Sequence, residues 1–238
     1  MECYERKYLL RSEHVDMRRK LRTSTLFGFL EEASIAHTEA LGMGRDKTLD
    51  KGYLWVILQQ SLTFYRTPSY DETILIRSWP GEMMHVLFPR YYEVLDEEGN
   101  VLIEGSALWA LIDVNSRKLV FPERAGVHID GMEADKEIPL PETIRRMETD
   151  RSSSLNVPYS LCDLNGHLNN TRYFDLFEDV FFKDGETADY VSLSAEYLSE
   201  VRFGSELTLS YLRKDGLLYM EGNTGGKAAF RILAKEKE

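Results

Sequence analysis

Residues 26–44 read LFGFLEEASIAHTEALGMG, and this segment has the spacing of an amphipathic helix. Apolar side chains recur every third or fourth position between Leu26 and Leu41, which places them along one helical face. The pattern predicts a helix from Thr25 to Leu41, with Ser24 or Thr25 as its cap and a glycine after Leu41 as its stop.

Segments rich in β-branched and aromatic residues follow this helix. Their composition and the polar breaks between them predict antiparallel strands, and DEEGN at 96–100 predicts a hairpin turn. The predicted strands lie within residues 54–66, 72–79, 86–96 and 101–114.

The same order of elements returns in the second half of the chain. Prolines, glycines and charges replace any periodicity over residues 121–148, as is typical of a connector. We therefore predict an N-terminal domain at 1–120, a linker at 121–148 and a C-terminal domain at 149–238. Beyond the linker the pattern predicts a helix from Asn170 to Phe182. Further strands are predicted near 156–160 and within 190–201, 205–216, 217–223 and 227–236.

The two halves can be set against each other by aligning Glu72 with Glu206, which brings Arg66 opposite Glu200. Such self-similarity points to tandem domains, each with one long helix followed by a curved antiparallel sheet. This is an α+β double hotdog arrangement, in which one chain forms the pairing that single-copy members obtain by dimerising.

The composition of the 238 residues is that of a globular protein, with 43% hydrophobic and 29% charged residues. The net charge of −11 argues against broad nucleic-acid binding, which depends on basic residues that neutralise phosphates. The amino terminus mixes charges of both signs, and no run of about 18 apolar residues occurs. We therefore expect a cytoplasmic protein without membrane insertion.

The chain has two cysteines, Cys3 and Cys162, and neither belongs to a CxxC pair or a cluster at zinc spacing. We therefore expect reduced thiols, no disulfide and no metal.

The segment SLCDLNGHLNN at 160–170 collects side chains that can donate, accept or shuttle protons: Asp163, Asn165, His167, Asn169 and Asn170. In an extended segment the first three would share one face, because the strand period is two. Asn169 or Asn170 can cap the following helix, whose amino end can polarise a carbonyl group. A purely structural alternative is that the acid and the late asparagines shape a turn and a cap. Taken together, the concentration of these groups favours chemistry.

The segment DLNGHLNNTRYFDLFED at 163–179 resembles the Asp-x-Asn-x-His-x-Asn-Asn-x-x-Tyr signature of plant and bacterial acyl-acyl-carrier-protein thioesterases, which are double-hotdog enzymes. The resemblance extends to residues 9–37, 52–79 and 106–123. It implies a catalytic set of four side chains: Asp163, Asn165, His167 and Glu200. Substrate-binding roles are expected for Asn169, Asn170 and Trp55.

One position departs from the family pattern. Many plant members have a cysteine directly after the catalytic glutamate, and this chain has Val201. A thiol nucleophile at that position is therefore excluded, and Cys162 is expected to be a packed thiol.

The resemblance implies hydrolysis of fatty acyl-acyl carrier protein without a cofactor, which releases free fatty acid and terminates fatty acid synthesis. In one route, Glu200 and Asp163 hold or deprotonate the attacking water, while His167 orients a carboxylate or protonates the leaving thiolate. In the other route, Asp163 attacks directly and forms an anhydride.

The partner implied by this reaction, acyl carrier protein, is strongly acidic and needs a basic face to dock on. Its docking residues are expected among six arginines: Arg18, Arg19, Arg22, Arg145, Arg146 and Arg172. For the first three, a solvated edge is the alternative. A homodimer is left open.

Rival functions are an acyl-CoA thioesterase with the same chemistry and a non-catalytic acyl-binding sensor. The first domain is expected to hold the acyl chain and to have lost catalysis, because it lacks an Asp-x-Asn-x-His run before its helix. Glu31 and Glu32 on that helix are interpreted as surface charges, and His37 as a helix-face or groove contact.

Overall fold

A computed structural model of the protein describes residues 3–132, 136–183 and 185–237. The first half contains β1 (Tyr4–Leu9), α1 (Thr23–Ala40), β2 (Tyr53–Phe64), β3 (Thr73–Pro80), β4 (Leu87–Leu95) and β5 (Val101–Asp113). A short helix, α2 (Pro122–Ala125), follows. The second half contains β6 (Arg151–Asn156), α3 (Arg172–Phe181), β7 (Tyr190–Tyr197), β8 (Glu206–Lys214), β9 (Leu217–Thr224) and β10 (Lys227–Glu236).

The strands form one ten-stranded antiparallel sheet in the order β1-β3-β4-β5-β2-β7-β10-β9-β8-β6. This order reads the same from both ends when each strand of the first half is matched with its counterpart in the second. The halves join where β2 pairs with β7, from Gln59 opposite Glu196 to Thr63 opposite Ser192. The predicted tandem repeat is therefore present in the topology.

Helices α1 and α3 pack against each other. Phe27 of α1 stacks on Phe174 of α3 with ring centroids 3.8 Å apart, within a hydrophobic core that spans both halves. A Cβ atom at Gly28 would lie 4.0 Å from the Thr171 side chain at the start of α3, which is an ordinary contact distance.

Both helices were predicted to within two residues of their observed ends, but the cap predicted for α1 was wrong. Arg22 is the N-cap residue of α1 and makes no side-chain cap hydrogen bond. Ser24 lies inside the helix and is buried, and Thr23 donates its hydroxyl hydrogen to Glu178 instead. The two residues predicted as caps, Ser24 and Thr25, therefore lie within the helix and not at its start.

The structural repeat is offset by one residue from the alignment made on the sequence. Leu21 donates its backbone N–H to the carbonyl of Pro68 at 2.8 Å, and Leu168 donates to the carbonyl of Val201 at 2.7 Å. These bonds make Pro68 the counterpart of Val201, so Thr67 is the counterpart of Glu200.

The assignment of Arg66 as that counterpart was wrong. The strands on both sides of this loop can be aligned by their apolar patterns, but the polar residues of the loop have no periodicity. The alignment of the two halves can therefore slip by one residue there. In the structure Arg66 forms an ion pair with Glu72 at 2.7 Å.

The linker predicted at 121–148 is described except for residues 133–135. It contains α2, and Pro139 and Thr143 bind side chains of Ser106 and Gln59 on the outer face of the sheet. The predicted domain boundaries stay a prediction. In the described part of the chain, no helix has the length and apolar character needed to span a membrane.

Candidate active site

The segment that carries the predicted catalytic residues folds as a tight turn. Cys162 and Leu168 form a β-bridge, and Gly166 between them has a φ of 75°, which favours glycine. Asp163 Oδ1 accepts hydrogen bonds from the backbone N–H groups of Asn165 at 2.9 Å and His167 at 3.1 Å. An extended arrangement with three side chains on one face is therefore wrong. We call residues 163–167, which carry three of the predicted catalytic residues, the catalytic turn.

Asp163 uses both carboxylate oxygens within this turn. Its second oxygen, Oδ2, accepts a hydrogen bond from the side-chain amide of Asn165 at 3.3 Å. Such bonds from an acid to following backbone N–H groups stabilise turns. Asp163 therefore holds the backbone that presents Asn165 and His167.

The first half contains a turn with the same backbone bonds. Asp16 Oδ1 accepts from the backbone N–H groups of Arg18 at 2.8 Å and Lys20 at 3.0 Å. Arg19 has a φ of 64° at the position that corresponds to Gly166. We expected no counterpart of the motif in the first domain, but the first domain does contain the same backbone turn. It was missed because only the aspartate is shared, and Arg18 and Lys20 replace the amide and the imidazole.

The catalytic turn lies against the loop that follows β7. Besides the bond from Leu168 to Val201, His167 and Arg202 form an isolated β-bridge. This pairing places His167 Nε2 3.4 Å from Glu200 Oε2. Arg117, from the turn after β5, forms an ion pair with the other oxygen of Glu200. The structure thus brings together two predicted site residues that lie far apart in the sequence.

The surroundings of His167 favour its neutral form. Burial lowers the pKa of this imidazole, the charges of Arg117 and Arg202 lower it further, and Asp163 opposes them. A neutral imidazole beside Glu200 can accept a proton at neutral pH.

The amino end of α3 follows directly after the catalytic turn. Asn169 Oδ1 accepts hydrogen bonds from both the backbone N–H, at 2.9 Å, and the hydroxyl, at 2.7 Å, of Thr171, which is the N-cap residue. Asn169 therefore orders the residue before the helix and does not cap it directly. The backbone carbonyl of Asn170 accepts a hydrogen bond from the Tyr197 hydroxyl at 3.4 Å.

Trp55 and the arginines proposed for docking lie in several places. Trp55 contacts Met43 and Phe88 in the first half. Arg18 forms an ion pair with Asp16, and Arg22 donates to the carbonyl of Val15, so both belong to the turn of the first half. Arg19 lies over the Tyr70 ring, and Arg172 forms an ion pair with Asp175. Arg146 lies beside Glu221, and Arg145 is exposed on the linker. These roles stay predictions.

Sequence reasoning missed Arg117, Arg202 and Glu31. Arg202 could have been found by its place two residues after Glu200, whereas nothing in the sequence links Arg117 to the site. Burial raises the pKa of Glu31 to about 7, and the charges of Glu32 and Asp163 add to the effect.

Glu31 is half-buried and is not the fully solvated surface charge that was expected, whereas Glu32 is exposed as predicted. His37 is buried and lies 3.2 Å from Arg90, so it belongs to the core of the first half. Cys162 packs against the main hydrophobic core as predicted, and burial raises the pKa of its thiol.

Comparison with known proteins finds matches along nearly the whole chain. The family model of the acyl-ACP thioesterase N-terminal domain matches residues 1–123, and that of the C-terminal domain matches residues 144–234. The chain is 24% identical to the chloroplastic acyl-acyl-carrier-protein hydrolase FATB3 of Cuphea viscosissima, over 86% of this chain and 53% of that protein. It is 22% identical to the chloroplastic dodecanoyl-acyl-carrier-protein hydrolase of Umbellularia californica, over 83% of this chain and 56% of that protein. The chain thus spans about half the length of the curated relatives it matches.

Solved structures with the same fold include two of particular similarity. An acyl-ACP thioesterase from Bacteroides thetaiotaomicron has a TM-score of 0.87 and 21% identity, with 99% of this chain and 98% of that chain covered. The 12:0-ACP thioesterase from Umbellularia californica has a TM-score of 0.82 and 19% identity, with 99% and 97% covered. These similarities confirm the predicted α+β tandem hotdog fold.

Proposed function

Because this chain belongs to the acyl-ACP thioesterase family, we propose that it hydrolyses the thioester of fatty acyl-acyl carrier protein and releases free fatty acid. The contact between His167 and Glu200 carries this proposal. It joins a neutral imidazole to a carboxylate beside the amino end of a helix, which is the equipment that thioester hydrolysis needs.

The site suits attack by water on the thioester carbonyl. The positive end of the α3 dipole stabilises the oxyanion that forms on the carbonyl oxygen. His167 and Glu200 orient the water and receive its proton. The C–S bond then breaks, and the thiolate takes up a proton as it leaves.

The hydrogen bonds of Asp163 favour this route over direct attack by the carboxylate. Both of its oxygens accept bonds that hold the catalytic turn. A nucleophile would have to give up at least one of them. We assign Asp163 to the positioning of Asn165 and His167.

Purified protein should release fatty acid from a panel of acyl-acyl carrier proteins. His167→Ala and Glu200→Gln should each lower kcat by about 100-fold or more, with smaller effects on KM, because both groups act on the reacting atoms. Lys20→Ala is the matched control, since Lys20 occupies the position of His167 in the turn of the first half. Near-normal kcat in both site variants would remove this site from the reaction.

A comparison of substrates distinguishes hydrolysis of acyl-acyl carrier protein from the rival activity on acyl-CoA. Acyl-carrier-protein and acyl-CoA substrates with the same acyl chain should be compared, and a higher kcat/KM on the carrier protein is expected. An acyl-binding sensor would release no free thiol from either substrate.

The surface around the catalytic turn supports a protein partner. Arg117 and Arg202 are exposed there, as are three apolar side chains: Tyr159, Leu164 and Phe203. Leu164 is 96% exposed at the tip of the turn. Basic charges around an apolar centre suit docking of an acidic protein.

Charge reversal in Arg202→Glu should therefore lower kcat/KM on acyl-acyl carrier protein more than on a small thioester. Equal losses on both substrates would place Arg202 in the chemistry and not in docking. The cytoplasmic location and the homodimer stay predictions.

A further inference from the structure

Arg117 is a side chain of the first half that contacts the candidate site of the second half. It lies in the turn that follows β5, and its guanidinium forms an ion pair with Glu200 Oε1 in the loop after β7. The other carboxylate oxygen, Glu200 Oε2, lies 3.4 Å from His167 Nε2. Glu200 is therefore held between an imidazole of its own half and a guanidinium of the other half.

The turn that carries Arg117 is fixed by its own hydrogen bonds. Ile112 and Leu119 form a β-bridge at its base, and the backbone N–H of Arg117 donates to the carbonyl of Asp113 at 2.9 Å. Asp113 Oδ1 accepts a further bond from the backbone N–H of Ser116 at 2.7 Å. The place from which the guanidinium extends is therefore set without the help of the ion pair.

The backbone of Arg117 is unusual for an arginine. Its φ of 56° lies in the left-handed region, where side chains are disfavoured and glycine fits best. Residues other than glycine with such a backbone cluster at functional sites. Position 117 therefore has a side chain where the turn alone would favour glycine, which points to a role for that side chain outside the turn.

Glu200 needs a partner to hold its side chain in one orientation. The bond from Leu168 to Val201 anchors the backbone of its loop, but the side chain of Glu200 is 39% exposed. Within the described part of the chain, its ion pairs are those with Arg117 and His167. An exposed side chain with several rotatable bonds samples several rotamers unless its contacts offset the lost entropy. Removal of Arg117 would leave the loop in place and free the carboxylate.

We propose that Arg117 is a positioning residue, which holds Glu200 in the orientation in which Glu200 and His167 receive the attacking water. The proposal rests on the function proposed above. Arg117 neither takes nor gives a proton, because a guanidinium stays charged in proteins. It acts through Glu200, and a turn of the first half thus completes the site of the second half.

Arg117 also influences the protonation of His167. Four charged groups face this imidazole: Asp163 in the catalytic turn, Glu200 and Arg202 in the loop after β7, and Arg117. The charge of Arg117 contributes to the lowered pKa of His167. Without that charge the pKa rises, and the imidazole stays protonated up to a higher pH, where it cannot accept a proton. The acid limb of the kcat/KM profile should therefore move to higher pH in a variant without Arg117.

The test compares variants of Arg117 and its neighbour Lys118 on acyl-acyl carrier protein and on a small acyl thioester. Arg117→Gly should lower kcat by about 10- to 100-fold on both substrates, with a smaller effect on KM, because a misplaced reacting group slows the chemical step. Its melting temperature should not fall, since glycine suits the left-handed backbone. Arg117→Lys keeps the charge and should recover part of the rate.

Lys118→Ala is the matched control. Lys118 is exposed in the same turn, and its removal changes the net charge by the same amount. This variant should keep the wild-type kcat and the wild-type pH profile. A loss in Arg117→Gly on acyl-acyl carrier protein alone would assign Arg117 to docking and would overturn the inference.

A double-mutant cycle with Glu200→Ala shows whether Arg117 acts through Glu200. Once Glu200 is replaced, Arg117→Gly should have little further effect on kcat, because the two residues act as a unit. Equal fold-losses with and without Glu200 would contradict the proposal, as would wild-type kcat in Arg117→Gly. A wild-type protein without activity on any acyl thioester would instead refute the proposed function.

Discussion

At the scale of single residues, two aspartates show how much of the site is structural. Asp16 and Asp163 accept equivalent backbone hydrogen bonds in equivalent turns. Only the second turn presents an amide and an imidazole. The aspartate therefore stabilises the turn, and the chemistry depends on the other side chains that the turn presents.

Replacing either aspartate by alanine tests this division. Asp16→Ala and Asp163→Ala should each lower the free energy of unfolding by about 1–2 kcal/mol, because each leaves two backbone N–H groups without their acceptor. Urea denaturation measures both. Only Asp163→Ala should also lower kcat on acyl-acyl carrier protein. Equal losses of kcat in the two variants would show that the effect is one of stability.

The residues of the catalytic turn were predictable, but their geometry was not. The motif identified Asp163, Asn165 and His167, and the family pattern identified Glu200. The left-handed backbone at Gly166 converts an expected strand into a turn, and a period of two cannot reveal this. Glu31 was interpreted as a surface charge because a charged residue on a helix is usually solvated.

At the scale of elements, the crossing of α1 and α3 determines where the site forms. The stacked pair Phe27 and Phe174 fixes the contact, and Gly28 leaves room for the start of α3. The amino end of α3 is thereby held against α1. A small residue at position 28 thus contributes to the placement of the polar groups.

Substitutions at Gly28 should separate the effect of helix propensity from the effect of side-chain size. Gly28→Ala adds a methyl group at ordinary contact distance, and it should raise the free energy of unfolding by about 0.5–1 kcal/mol. Gly28→Leu needs room that Thr171 occupies, and it should lower the free energy of unfolding by about 1–3 kcal/mol. Thermal or urea unfolding checks both. A destabilised alanine variant would mean that the helices cross more tightly than described.

Most elements were predictable from periodicity, and β6 shows where the pattern fails. The strand was expected near residues 156–160, but it spans Arg151–Asn156. Its sequence, RSSSLN, is almost wholly exposed at the edge of the sheet. An edge strand without a buried face has no apolar alternation, so only its pairing with β8 defines it.

At the scale of the whole molecule, one sheet and one main hydrophobic core join two halves whose turns present different side chains. The β2–β7 pairing makes the sheet continuous, and Ser61 and Ser194 hydrogen-bond across it at 2.9 Å. Groups between the halves are therefore buried only when both halves are folded. Their protonation is coupled to folding of the entire chain.

Glu31 makes this coupling measurable. The folded protein binds the proton of Glu31 more tightly than the unfolded chain does, because its pKa is raised from 4.5 to about 7. The stabilisation from this group is therefore full below pH 4.5 and is lost as the pH rises to about 7.

Glu31→Gln should remove that loss. The variant should gain up to about 3 kcal/mol over the wild type between pH 5 and 8 in urea unfolding. Glu32→Gln serves as the control and should follow the wild-type dependence. An identical pH dependence in Glu31→Gln and the wild type would show that Glu31 is solvated.

The unequal turns also bear on the number of active sites per chain in the proposed thioesterase. A symmetric pair of single hotdog domains has two equivalent places for a reaction, whereas this chain fills one of them with Asp16, Arg18 and Glu178. Titration with a tight-binding thioester analogue should therefore saturate at one equivalent per chain. Any communication between active sites would have to occur between chains, and a single chain should show simple hyperbolic kinetics.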